Sequence, residues 1–152
     1  MKSVLAALVS IAALPATAQD VSFMRLLPGW ETEAGTRMIG VEILLNPGWK
    51  TYWRAPGPGG IPPMFDWAGS ENVRGATVHW PRPDVQHAFG LTNLGYQDRV
   101  VFPVEITPED PSAPTDITLA LSYGVCGMCA FLPIRRTASA ATASPMTAPP
   151  AR

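Results

Sequence analysis

The sequence has 152 residues, two cysteines and a formal net charge of −1. That is room for one ordinary domain, and with only 15% charged side chains it excludes an acidic solvated coil and a strongly basic nucleic-acid binder. Seventeen prolines and thirteen glycines exclude a helical bundle, because proline breaks helix interiors and central strands; they favour short strands joined by many turns.

Residues 1–18 read as an export signal. Met1-Lys2 is a positive start, Val4 to Leu14 is an apolar run broken only by Ser10, and Ala16-Thr17-Ala18 is a small-x-small cleavage site that puts the mature start at Gln19. The alternative, a membrane anchor, needs about 18 to 20 apolar residues, and no run in the chain reaches that. The expectation is an exported mature chain without membrane insertion, in an oxidising compartment such as a bacterial periplasm.

Period-two alternation then recurs along the chain. Val21, Phe23 and Arg25 open a first strand. Over Arg37 to Leu45, the side chains of Ile39, Val41, Ile43 and Leu45 share one face. Trp49, Thr51 and Trp53 alternate with Lys50 and Tyr52. Thr77 to Trp80 is a short strand, and Asp84 to Phe89 is read as a single helical turn. Arg99 to Ile106 is a strand whose Pro103 predicts a sheet edge or a bulge. Ile117, Leu119, Leu121 and Tyr123 alternate with polar or small residues, and Phe131 to Arg135 reads as a last strand.

Dense turn signals separate these runs, among them Asn46-Pro47-Gly48, the segment from Pro56 to Pro63, and Pro81-Arg82-Pro83. The pattern predicts an all-β, immunoglobulin-like antiparallel β-sandwich, a single domain over residues 19–136; a small barrel fits the same pattern. From Thr137 to Arg152 the chain turns small and Ala/Thr/Pro-rich, the composition of a disordered tail.

Both cysteines lie in Cys126-Gly127-Met128-Cys129. In an extended strand they would stand about 10 Å apart on opposite faces, whereas a disulfide needs Cα atoms within about 7 Å. A turn satisfies that distance, and Gly127 suits one. Closing so short a loop stabilises by only about 2 kcal/mol against about 4.7 for a 100-residue loop, so a staple is one reading and a redox couple another. Cys126, Met128 and Cys129 are also soft donors of the kind copper(I) takes. A thioredoxin setting needs a helix after the pair, and Pro133 follows instead; haem attachment needs a histidine where Ala130 stands. Zinc needs about four ligands, and only His79 and His87 are available to join the thiols.

Several segments, in order, resemble the periplasmic amino-terminal domain of the DsbD/ScsB family of thiol:disulfide interchange proteins. They are Asn46-Pro47-Gly48-Trp49-Lys50-Thr51-Tyr52-Trp53-Arg54, Pro56 to Pro63, Phe65-Asp66-Trp67, Ser70-Glu71-Asn72, Trp80-Pro81-Arg82-Pro83, Gly95-Tyr96, Val100 to Pro103, and Tyr123-Gly124-Val125-Cys126. The likeness runs from about residue 20 to residue 135. It implies an immunoglobulin-like sandwich and makes Cys126 and Cys129 the catalytic redox couple, with no cofactor. The implied electron donor is a membrane-embedded or thioredoxin-like thiol protein, and the acceptors are periplasmic protein disulfides. The chain departs from the family in having only two residues between its cysteines. It also ends in the Ala/Thr/Pro-rich tail where full-length members continue into a transmembrane and a thioredoxin-like domain.

Phe89, Tyr96 and Tyr52, with Trp53 and Phe131, are candidates to shield the pair, and Gly90 is a candidate hinge for a cap formed by His87 to Gly90. No lysine is close to the cysteines in sequence; Arg135 and Arg136 are the nearest basic residues and the candidates to favour a thiolate. Three functions are open at this stage: thiol–disulfide exchange as a protein-disulfide reductase domain, copper(I) handling through Cys126, Cys129 and Met128, and a non-redox interaction domain with a structural bridge.

Overall fold

The computed structural model describes residues 20–88, 90–127 and 131–142. Ten strands and no helix occur among them: β1 (Ser22–Glu31), β2 (Arg37–Leu45), β3 (Lys50–Tyr52), β4 (Met64–Asp66), β5 (Gly75–Val78), β6 (Asp84–Ala88), β7 (Leu91–Gln97), β8 (Arg99–Thr107), β9 (Thr115–Cys126) and β10 (Phe131–Thr142). They form two antiparallel sheets, β1-β2-β8-β5 and β10-β9-β3-β7-β6, with β4 paired to β9. The fold is an immunoglobulin-like β-sandwich.

The core follows from the alternation. Ile39, Val41, Ile43 and Leu45 of β2 and Val100, Phe102, Val104 and Ile106 of β8 face Ile117, Leu119, Leu121, Tyr123 and Val125 of β9. Apolar side chains at every second position bury themselves between the sheets and leave the intervening residues outside. Phe102 is the aromatic hub, edge-on to Phe65, Trp80 and Tyr96 at centroid distances of 5.5, 5.3 and 5.4 Å.

Two polar clusters tie strands together. On the outer face of the first sheet the carboxylate of Glu42 in β2 is buried between Arg25 of β1 and Arg99 of β8; Arg99 Nε donates to Oε1 at 2.6 Å. Where β1 meets β10, Ser22 Oγ and Tyr123 Oη are 2.9 Å apart. Arg136 donates there to Asp20 at 2.6 Å and to the Ser22 carbonyl at 2.9 Å.

The fold departs from the sequence reading at three places. Asp84 to Ala88 is strand β6, not a helical turn: it pairs with β7 from Asp84↔Gly95 to Ala88↔Leu91, and pairing across a hairpin overrides a weak local preference. Gly90, at φ 74°, takes the left-handed turn position of this hairpin. Pro103 lies in an interior strand, β8, opposite Gly40 of β2. Its carbonyl accepts from His79 N at 2.8 Å, beyond the last β5 residue, so the missing N–H faces a side where β5 has ended. Finally, β10 runs on through Thr142, pairing Thr137 with Ala120 and Thr142 with Thr115. The part of the expected tail from Thr137 to Thr142 is therefore a paired strand. Residues 1–19 and 143–152, which hold the expected signal and the rest of the tail, lie outside the described residues.

Candidate functional site

The site is built where β3 wedges between β9 and β7. The Asn46–Gly48 turn, closed by Trp49 N donating to the Asn46 carbonyl at 3.0 Å, delivers β3 in the register Lys50↔Cys126 and Thr51↔Val125 on one side. On the other side the register is Lys50↔Gln97, Thr51↔Tyr96 and Tyr52↔Gly95. Thr51 is buried in the sandwich, and its hydroxyl donates to the Gly124 carbonyl at 2.8 Å, fixing β3 on the end of β9. Period two then puts Lys50, Tyr52, Gly124 and Cys126 together on the outer face of the second sheet.

Cys126 carries a free, half-buried thiol, with Sγ 3.4 Å from the Gly127 carbonyl it donates to. The Tyr52 phenol neighbours this sulfur closely enough for the two groups to interact electrostatically. Tyr52 is only 3% exposed although it lies outside the main core. Two glycines make room for its ring: a methyl on Gly60 would fall 2.6 Å from Tyr52 Cδ1, and one on Gly124 would fall 3.2 Å from Cδ2. Burial, and next the negative charge of the neighbouring sulfur, push the Tyr52 phenol up to about 12. The phenol therefore keeps its proton over the whole range in which a thiol ionises, and it is a standing donor to a thiolate at Cys126.

The Pro/Gly segment from Pro56 to Pro63 roofs this face. Its contacts are Leu94 N to the Pro56 carbonyl at 2.8 Å, Gly59 N to Asn93 Oδ1 at 3.2 Å, and Gly124 N to the Ile61 carbonyl at 3.3 Å. Beneath it Gln86 and Asn93 are buried, and Gln86 Nε2 has no hydrogen-bond partner among the described residues. Trp49 closes the near side, its indole packed on Gly127, where a methyl would lie 3.0 Å from Cε2. Gly127 is not among the residues with positive φ; its missing side chain serves this close approach, not the left-handed turn its sequence context suggested.

Of the residues singled out from sequence, Cys126 and Tyr52 come together. Tyr96 does not: it points into the sandwich, its hydroxyl donating to the Pro81 carbonyl at 2.9 Å, because it is one residue out of phase with Gly95, which sits opposite Tyr52. Trp53 is likewise packed against the core, with the Arg54 guanidinium 4.9 Å over its ring. Phe131 stands opposite Cys126 in register. Phe89, Met128 and Cys129 lie outside the described residues. Neither arginine of β10 adjoins the thiol: Arg135 pairs with Ser122 further along the strand, and Arg136 is engaged at the β1 edge. The basic residue opposite Cys126 is Lys50, 76 positions away in sequence. Only its place in the Trp49–Tyr52 motif signalled it. Among the described residues no three His, Cys, Asp or Glu side chains gather as a metal site.

A half-exposed thiol at the end of a sandwich strand, beside a buried phenol, makes this end of the second sheet the candidate site of an all-β domain. The family profile described as "Thiol:disulfide interchange protein DsbD, N-terminal" matches residues 23–140, and the chain belongs to that family. It is similar to the N-terminal periplasmic domain of ScsB from Proteus mirabilis, with a TM-score of 0.66 and 28% identity, over 83% of this chain and 48% of that one. The chain thus spans about half the length of the ScsB domain it matches. The N-terminal domain of DsbD from Neisseria meningitidis, in the reduced form, aligns at a TM-score of 0.48 and 11% identity, over 78% and 84% of the two chains. No curated protein matches the chain. Among the described residues no helix is long and apolar enough to cross a membrane.

Proposed function

We propose that this domain is a periplasmic electron relay. It takes two electrons from a thioredoxin-like or membrane-embedded thiol protein and delivers them to the disulfides of periplasmic proteins through Cys126 and Cys129, acting as a protein-disulfide reductase module. The observation that carries the reading is the placement of the buried Tyr52 phenol beside the free, half-buried Cys126 thiol, on one face of the paired strands β3 and β9, in a chain of the DsbD N-terminal family. A merely structural cysteine has no need of a proton donor kept beside its sulfur.

The chemistry is thiolate–disulfide exchange. In the reduced pair one thiolate attacks a sulfur of the acceptor disulfide; the new S–S bond forms as the acceptor's bond breaks, and the acceptor's other sulfur leaves as a thiolate and takes a proton. The second cysteine then attacks the mixed disulfide, releasing the reduced acceptor and closing the Cys126–Cys129 bond. Electrons return when a donor dithiol repeats the sequence in reverse. Tyr52 stabilises negative charge on Cys126 at each stage where that sulfur is a thiolate, and the Pro56–Pro63 roof keeps the Tyr52 ring from water.

The test is trapping. With Cys129→Ser, a reduced domain offered a periplasmic extract of oxidised proteins should accumulate covalent adducts through Cys126 that dissolve in reductant. The absence of such adducts, with the thiol reactive toward a small alkylating agent, would refute the relay.

A further inference from the structure

Lys50 is the only lysine beyond residue 2. It is half-buried, sits in the strand flanked by both β7 and β9, and makes no ion pair among the described residues. Its cross-strand partner is Cys126. Directly opposed residues on one face of an antiparallel pair have Cβ atoms roughly 4.5–5.5 Å apart, and a lysine stem easily covers that span. A lysine covers its stem against neighbouring strands while its ammonium stays at the surface, and with no carboxylate paired to it among the described residues this ammonium is available to an anion on the same face.

We infer that Lys50 is a positioning residue for the exchange reaction: its ammonium compensates the thiolate of Cys126. The inference rests on the exchange reading, and it adds the electrostatic partner of the reacting sulfur. Two residues of β3 share the face of Cys126, Lys50 directly opposite it in register and Tyr52 with its neutral phenol. From β10 the nearest charge on this face is Arg135, four residues along the strand from Phe131. Beyond β3, β7 presents uncharged Gln97, followed by exposed Asp98, and β6 presents exposed Asp84 opposite Gly95. The Pro56–Pro63 roof has no ionisable side chain. Lys50 is therefore the cation nearest in register, and the carboxylates on this side are solvated.

In the reducing half-cycle, a donor protein's thiolate attacks one sulfur of the Cys126–Cys129 disulfide. The S–S bond breaks as the mixed disulfide forms, and the electron pair stays on the departing sulfur. When that sulfur is Cys126, Lys50 and Tyr52 share its charge. The reverse step draws on the same thiolate as nucleophile.

The experiment uses the full chain with Cys129→Ser, so that Cys126 alone reports. Alkylation rate and ultraviolet thiolate absorbance are followed against pH for the parent, Lys50→Met and Lys50→Arg. Lys50→Met should move the thiolate midpoint to higher pH and slow alkylation near neutral pH by about threefold to tenfold, the size expected of one partly screened charge. Lys50→Arg should restore most of the loss, and added salt should narrow the gap. A Lys50→Met profile that superimposes on the parent, or a Lys50→Arg profile that follows Lys50→Met, would overturn the inference. Either result leaves the relay to be judged separately, by trapped adducts with Lys50 intact.

Discussion

The Tyr52 phenol and the Cys126 sulfur are neighbours on the outer face of the second sheet, on strands that the sequence separates by more than seventy residues. β3 brings them together by pairing with the last two residues of β9. Because Tyr52 is buried there and holds its proton up to about 12, the pair works in one direction: the phenol donates and the sulfur accepts.

Tyr52→Phe keeps the ring between Gly60 and Gly124 and removes only the donor. A hydrogen bond to a charged group contributes about 1.5–3 kcal/mol, and this one is half-exposed on the sulfur side. Alkylation of Cys126 near neutral pH should slow by about tenfold with the thermal midpoint within a few degrees of the parent. Equal rates in parent and variant would remove Tyr52 from the chemistry.

Gly60→Ala tests the roof. The added methyl would meet both Tyr52 Cδ1 and Pro56 Cβ at 2.6 Å, so either the loop or the ring must move. Overpacking of this kind costs about 1–3 kcal/mol. Denaturant unfolding should show that loss, and Cys126 should become more accessible to a bulky alkylating reagent. A variant as stable and as shielded as the parent would show that the segment is not seated on Tyr52.

Acid stability should depend on Glu42. Hydrogen bonds from Arg25 and then Arg99 hold its carboxyl below the usual carboxylate range, against the opposing effect of burial. A depressed folded value means that the carboxylate's contribution is complete above the ordinary range and is lost as pH falls through the lowered value. Glu42→Gln should cost roughly 1–3 kcal/mol at neutral pH and flatten the acid limb of a stability–pH curve. An unchanged acid limb would contradict the triad's role.

Alkaline stability should run the other way. Burial raises the phenols of Tyr52 and Tyr96 to about 12 and lifts that of Tyr123. Unfolded phenols ionise near about 10, so the stability tied to these three protons is whole below that pH and is lost as pH climbs from there towards about 12. Tyr96→Phe should remove one proton from the slope of unfolding free energy against pH in that interval, measured by denaturant titration.

The sandwich was legible because β2, β8 and β9 bury every second residue, and alternation in sequence reports that directly. Cys126 was legible from the cysteine spacing and from the motif around Tyr123. Tyr52 was named as one aromatic among several; nothing in period alone separates it from Tyr96, which turns into the core because the register sets Thr51, not Tyr52, against it. Lys50 escaped because sequence proximity pointed to Arg135 and Arg136, whereas strand pairing decides which charge meets the thiol. β6 escaped because Asp84–Ala88 is strand only by virtue of its hairpin partner.

The reduction potential of the Cys126–Cys129 couple, measured by equilibration with a dithiol buffer of known potential, separates a relay from a structural bridge most directly. A relay requires a value above about −300 mV, within the span of exchange proteins. A value well below that, with the bond untouched by thioredoxin-like dithiols, would mark a structural bridge and contradict the proposal.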